Sequence, residues 1–337
     1  MQLSDLWFIL IGVLFTGFFF LEGFDYGVGI LLPVIAKNDT ERRVVINSIG
    51  PVWDANEVWL LTAGGAMFAA FPHWYATMFS GFYLPLFLIL LALIVRGIAF
   101  EFRSKSDDAR WRKTWDYAIF IGSLLPAILF GVAFANIVRG LAIDENMTYV
   151  GTFFDLLNPY SLVGGFVTFA IFTLHGALFI ELKTDGIIRE RAKAITRPAW
   201  IASLVLVVVF VGFSFIDTKI FEDINIIQIV ALVVTVGALV FIGFSLFRSK
   251  FGLAFIGNGL VIVGVVVLLF SSLFPNVMPS SLDPAFSLTV YNASSTQYTL
   301  SIMTVVALVF VPVVLIYQGW TYWVFRKRVT INSHLEY

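Results

Sequence analysis

Four carboxylates sit where the chain is otherwise lipid-soluble. Glu22 and Asp25 interrupt the apolar, aromatic run from Leu6 to Ile35, which contains no Lys or Arg. Asp54 and Glu57 follow in Trp53-Asp54-Ala55-Asn56-Glu57-Val58-Trp59. Residues three apart share one face of an α-helix, so each pair projects as a unit. An ionised acid in hydrocarbon costs at least ~2.5–3.5 kcal/mol on the insertion scale, so such groups must face protein or water, or stay uncharged. Buried carboxyls of this kind can exchange protons. With Asn56 and Tyr26 beside them, the two pairs suit a hydrogen-bonded proton path.

The same residues have plainer readings. Asp54 and Glu57 follow Pro51, well placed as a first helical residue, and acids near a helix N-terminus are favoured by its dipole. The stretch Gly23-Phe24-Asp25-Tyr26-Gly27 has the GxxxG spacing that lets two helices approach closely, which would put its acids at a helix interface, within this chain or with another. Arg96 ends an apolar run, with Glu101 five residues on; it either tunes a nearby acid or snorkels to the membrane boundary. His175 is the one histidine inside an apolar run. It reads as a packing residue or as the ligand of one haem face, and this chain has no second intramembrane histidine to complete a pair. His73 and His334, in a loop and the tail, are assigned nothing. Trp53, Trp59, Trp74, Trp320 and Trp323 fit interfacial anchoring.

The elements that must hold these groups follow from composition. The 337 residues are 59% hydrophobic and 13% charged, against about 25% charged in a soluble domain. The mean hydropathy is +0.92. This is an all-α polytopic membrane protein, a single integral domain over 1–337. A crossing helix needs about 20 mostly apolar residues, which predicts nine spans near 6–35, 51–71, 75–100, 115–140, 160–182, 199–216, 225–247, 252–274 and 300–325. These runs are too long and uniform for barrel strands. Eighteen of the 21 basic residues fall in the first, third, fifth and seventh connections and in the tail. Basic loops stay cytoplasmic, so the N-terminus is expected outside and the C-terminus inside. Span one then descends and span two ascends, which puts all four acids in the cytoplasmic half. The tight turn at Phe71-Pro72-His73 predicts a hairpin of spans two and three, and the stretches 141–159 and 275–299 read as surface loops. Four spans, four spans and one more suggest two four-helix bundles with a peripheral ninth helix.

Other chemistries lack support. Zero cysteines exclude disulfides, thiolate metal sites and iron–sulfur clusters held by this chain, and three histidines leave little for a metal. A balance of 21 basic and 22 acidic residues offers nucleic acid no field. There is no Walker loop, GxGxxG or HExxH motif. Met-Gln-Leu-Ser-Asp lacks the basic start and cleavage site of a signal peptide, so the first apolar run reads as a retained helix.

At the acid-bearing segments the chain closely resembles subunit II of the cytochrome bd quinol oxidases. The resemblance is carried by Gly23-Phe24-Asp25-Tyr26-Gly27-Val28-Gly29, Asn38-Asp39-Thr40-Glu41-Arg42-Arg43, Ile46-Asn47-Ser48-Ile49, Trp53 to Leu60, Thr62-Ala63-Gly64-Gly65-Ala66 and Phe79-Ser80-Gly81-Phe82-Tyr83. It is dense as far as Phe102-Arg103-Ser104-Lys105 and rests on length and span plan beyond. The resemblance implies a complex with a haem-bearing subunit I, with or without a small single-helix subunit, in a bacterial or archaeal cytoplasmic membrane. That complex oxidises quinol and reduces dioxygen to water, with two b-type haems and one d-type haem in subunit I and no redox centre in this chain. It further implies that Asp25 and Asp54, with Glu22 and Glu57 at positions where some relatives have Asp and Gln, help deliver protons. Arg96 and Glu101 match a charged pair of the family's third helix, where Asp is often seen in place of Glu101. Two rivals stand beside this reading: a proton-coupled secondary transporter acting alone, and a purely structural scaffold.

Overall fold

In lipid every backbone amide must be satisfied within the chain, which leaves long apolar runs little choice but the α-helix. The computed structural model describes every residue except Met1, Asp223 and Glu336. The described residues form eleven α-helices: α1 (Leu3–Ile35), α2 (Asp39–Ile49), α3 (Trp53–Ala70), α4 (Pro72–Gly81), α5 (Tyr83–Phe102), α6 (Ala109–Arg139), α7 (Pro159–Lys183), α8 (Gly186–Asp217), α9 (Ile226–Phe247), α10 (Phe251–Leu273) and α11 (Gln297–Val324). Eight are long and apolar enough to cross a membrane; α2, α3 and α4 fall outside that set. In α3 the reason is local, because Asp54, Asn56 and Glu57 crowd its first two turns.

Several connections differ from the sequence expectation. The expected span 75–100 is two helices meeting at Phe82. Pro85 sits in the first turn of α5, and in one continuous helix its ring would meet the Gly81 carbonyl four residues back. Spans two and three therefore form no simple hairpin; α3 packs on α1, and α5 packs on α6. The first basic connection is the helix α2. Asn38 caps it by accepting from the Glu41 amide at 2.9 Å, while Val44, Val45, Ile46 and Ile49 are buried. The fifth connection is largely the start of α8, capped by Asp185. The stretches expected as surface loops have apolar interiors of their own. Val277, Met278, Leu288 and Val290 are buried around a short antiparallel pair, β1 (Asn276–Met278) and β2 (Leu288–Thr289). Ile143 and Leu156 are buried in the other.

Helix α1 lies at the centre, against α3, α6, α7 and α10. Lipid is as apolar as leucine, so close packing rather than water exclusion holds such helices together. Edge-to-face phenylalanines supply much of it: Phe15–Phe134 and Phe18–Phe130 centroids are 5.1 Å apart, and Phe19–Phe134 5.3 Å. The GxxxG face of α1 is used inside this chain, where Gly23 meets Phe172 and Gly27 meets Gly176 of α7. A Cβ at Gly27 would lie 2.8 Å from the Gly176 Cα and closer still to the Phe172 carbonyl oxygen. Gly27→Leu is therefore expected to separate α1 from α7 and reduce accumulation of the folded chain several-fold, read as yield from solubilised membranes. An unaltered yield would show that this crossing can relax.

Two further features position the site. Helix α11 exposes nearly all its length, and only Leu300 and Gln318 are buried. Polar contacts hold it at both ends: the Trp7 indole donates to Leu300 O at 3.2 Å and Thr304 Oγ1 at 3.1 Å, and Gln318 and Tyr322 reach Asn56. At the opposite end of α1, where the basic residues gather, buried Arg103 donates to Asp116 at 2.6 Å and to Asp39 at 2.7 Å, tying α2 and α6 to the foot of α5. Glu41 in the same layer accepts from the Lys37 amide at 2.7 Å and from Arg191 at 2.6 Å. The amide bond, followed by the guanidinium, holds its carboxyl below the usual range. A lowered folded value means a contribution fully present above the ordinary Glu pKa of about 4.3, lost as pH falls through the lowered value. The melting difference between unsubstituted chain and Glu41→Gln is thus expected at pH 7 and should shrink below about pH 4. A difference that does not change with pH would remove Glu41 ionisation as its source.

Candidate functional site

The close approach of α5 and α6 seats the one cation of the site. Gly122 of α6 lies against Arg96, where a Cβ would come 2.7 Å from the Arg96 Cβ. The guanidinium is 0% exposed, and it stands 5.0 Å from the Tyr26 ring centroid and 5.3 Å from that of Phe100. Its Nη1 donates to Oε1 of Glu22, which is also 0% exposed, and lies 3.4 Å from Oε2 of Glu57. Arg96 is therefore neither a boundary cation nor the partner of Glu101, which is exposed on the far side of that helix turn. The expected Arg96–Glu101 pair is not present: Nη1 of the guanidinium turns to the carboxylates of α1 and α3, and Glu101 is exposed.

Asp25 faces a different partner. Asn56 Nδ2 donates to Asp25 Oδ2 at 2.7 Å. The Asn56 carbonyl oxygen accepts from Tyr322 Oη at 2.7 Å and Gln318 Nε2 at 3.2 Å, and Gln318 Oε1 accepts from the Trp59 indole at 2.9 Å. Three helices, α1, α3 and α11, thus meet in one hydrogen-bonded set. Glu57 has 22% of its side-chain surface exposed, whereas Glu22 and Asp25 are sealed. Asp54, in the first turn of α3, is exposed and makes no hydrogen bond or ion pair among the described residues. The structure brings Glu22, Asp25 and Glu57 around Arg96 and leaves Asp54 at the rim.

Several buried polar atoms here find no hydrogen-bond partner among the described residues: Glu22 Oε2, Asp25 Oδ1, the Tyr26 hydroxyl, Ser123 Oγ, and Nε and Nη2 of Arg96. A buried polar group left unpaired costs about 1–3 kcal/mol, and groups gathered in this way are what ordered water bridges. Sequence reasoning missed Gln318 and Tyr322. The signal was available, two polar groups four apart on one face of an otherwise apolar helix.

Three of the predicted anchors are packing residues. Trp74 is buried beside Phe8 and Phe71, Trp59 lies on Gly17, and Trp53 covers Gly97 and Phe100. His175 is sealed among phenylalanines. Its ring lies flat on Phe255 at 4.3 Å, and Nε2 meets the Phe20 carbonyl oxygen at 3.1 Å. Nδ1 has no hydrogen-bond partner among the described residues, and with Phe20, Phe24 and Phe255 around the ring the histidine reads as a packing residue. Among the described residues no group of three or more His, Asp or Glu could hold a metal ion.

The fold and site define a multi-pass helical membrane protein with an acid cluster around one buried arginine. The family model described as cytochrome bd terminal oxidase subunit II matches residues 3–325. The chain is 46% identical over 336 residues to the cytochrome bd ubiquinol oxidase subunit 2 of Bacillus subtilis (strain 168), covering 100% of this chain and 99% of that one. It is 37% identical over 368 residues to the cytochrome bd-I ubiquinol oxidase subunit 2 of Escherichia coli (strain K12), covering 97% and 95%. A chain of the solved bd oxidase from Geobacillus thermodenitrificans shares the fold, with a TM-score of 0.78 at 17% identity over 97% of this chain and 100% of that one. The chain belongs to the cytochrome bd terminal oxidase subunit II family. It is a membrane-embedded subunit of a respiratory quinol oxidase, an oxidoreductase.

Proposed function

We propose that this chain is the haem-free partner of a haem-bearing subunit I and supplies that subunit with protons from the cytoplasm. Quinol oxidation and dioxygen reduction then occur on the partner, which holds the two b-type haems and the d-type haem. Reduction of dioxygen to water consumes protons as well as electrons, and taking those protons from inside builds the membrane potential. Glu57 is the entry acid, Glu22 and Asp25 are the inner ones, and Arg96 is a fixed cation that holds Glu22 and Glu57 together. One guanidinium faces three carboxylates, and the surplus of acids over bases lets the set take up and release protons. The unpaired polar atoms around Arg96 are suitable lining for a water-assisted route.

The observation that carries this reading is the Arg96 guanidinium lying between half-open Glu57 and sealed Glu22. With it goes a nine-span plan in a bacterial or archaeal cytoplasmic membrane, N-terminus outside and C-terminus inside, as one integral domain. Helix α3 would be the ninth span; its 18 residues are about 27 Å long at 1.5 Å each, close to the ~30 Å hydrocarbon core. The uncovered apolar faces of α5 and α11 leave room for subunit I, for lipid and for a small single-helix subunit. Asp54 supports a second reading for itself alone, since an exposed acid in a first helical turn is what the dipole favours.

The test is oxygen consumption and proton uptake by the reconstituted complex carrying an amide at each of the four acids in turn. Lower turnover with the haem spectrum intact is expected for Asp25 and Glu57, and lower turnover with reduced yield for Glu22, whose amide would weaken the buried pair with Arg96. Full turnover in all four, with lower complex yield, would leave a scaffold role.

A further inference from the structure

Away from the acid cluster, at the basic end of the bundle, the first turns of α8 meet the connection between α9 and α10. That connection is Arg248-Ser249-Lys250, with Ser249 in the left-handed region at φ 55°. A cavity of about 320 Å³ lies there, lined by Lys193, Thr196, Arg197, Leu246, Ser249 and Phe251. Lys193 and Arg197, four apart, share one face of α8. Their neighbours are aromatic: Lys193 Nζ is 5.8 Å from the Phe251 ring and Arg197 Cζ 5.2 Å from that of Phe247. Arg248 lies over Phe244 at 4.2 Å. Carboxylates are scarce. Lys193 has exposed Glu190 at 3.7 Å, whereas Arg197, Arg248 and Lys250 make no ion pair among the described residues. Helix α10 begins at this cavity, and its N-cap residue, Lys250, makes no side-chain cap bond to the first amides.

Toward the membrane interior the cavity opens onto apolar surface, with Ile201 and Val205 of α8 and Val240 and Phe244 of α9 exposed. The charge bias of connecting loops explains why cations lie on this side. It does not explain why Lys193 and Arg197 line one cavity above an apolar face. Basic pockets between helices at the membrane boundary suit anionic lipid headgroups. We propose that this cavity holds the phosphate of an anionic phospholipid, with an acyl chain lying along α8 and α9. Free phosphate would use the same cations but gain nothing from the apolar face.

Native mass spectrometry of the delipidated oxidase complex tests this, using phosphatidylglycerol and phosphatidylcholine with matched chains. Phosphatidylglycerol is expected to be retained about tenfold more tightly, and equal retention of the two would overturn the proposal without any variant. Lys193→Gln combined with Arg197→Gln should lower phosphatidylglycerol retention at least about tenfold, whereas Arg326→Gln combined with Lys327→Gln should leave it unchanged. Full retention in the first variant, or an equal loss in the second, would place the lipid elsewhere. Complete displacement by millimolar inorganic phosphate would make the cavity a phosphate site and end the lipid assignment.

Discussion

A complex carrying Asp25→Asn is expected to consume oxygen about 10²-fold more slowly than the unsubstituted one, at the lower end of what a positioned proton-transfer group contributes. The haem spectrum should stay in place. The substitution is close to isosteric, and the amide oxygen can still accept the bond that Asn56 now gives to Asp25 Oδ2 at 2.7 Å. What it loses is the ability to bind and release a proton. Structure and proton exchange are thereby separated, which Asp25→Leu would not do. The companion Asp54→Asn should change turnover less than about threefold, since Asp54 is exposed and engages no described partner; surface substitutions of this kind have small effects. Full turnover in Asp25→Asn would take Asp25 out of the route, and a greater loss in Asp54→Asn would reverse the order of the two acids.

Arg96→Met is expected to prevent stable accumulation of the complex. It would leave Glu22, 0% exposed and bonded to that guanidinium, as an uncompensated acid in the interior of the bundle. Breaking a buried pair by removing one partner costs about 3–5 kcal/mol, a large part of the roughly 5–15 kcal/mol that holds a domain folded. Replacing both partners is milder, so Arg96→Met with Glu22→Gln should recover much of the yield while turnover stays low. Arg96→Lys should restore assembly only in part, because an ammonium is more strongly hydrated than a guanidinium and costs more to bury. Haem content per milligram of membrane protein reads all three. Ordinary accumulation of the single Arg96→Met variant would show that the pair is not needed for assembly.

The two expectations separate assembly from proton exchange within one cluster. Arg96 touches acids from two helices and is required for the set to exist. Asp25 accepts from the Asn56 amide, a bond that its own amide can keep, so exchanging it for Asn alters proton exchange more than packing.

Much of the protein is decided by local pattern. Apolar runs of membrane length cannot be anything but helices in lipid, and the sequence motifs between Gly23 and Lys105 were enough to identify the family. Glu22 and Asp25 were legible as a buried pair because an acid in such a run cannot be left facing hydrocarbon. Some missed elements were also local: the Asn38-to-Glu41 cap announces α2, and Pro85 announces the break at Phe82. The partners of the acids were not local. Arg96 lies 74 residues from Glu22, and Tyr322 lies 266 from Asn56. Nothing in the spacing chose Glu22 and Glu57 over nearby Glu101. That choice was made by helix packing, through Gly27 against Gly176 and Gly122 against Arg96, which brings particular faces within hydrogen-bond reach. Periodicity specifies which residues share a face; only the crossing of one helix over another specifies what that face meets.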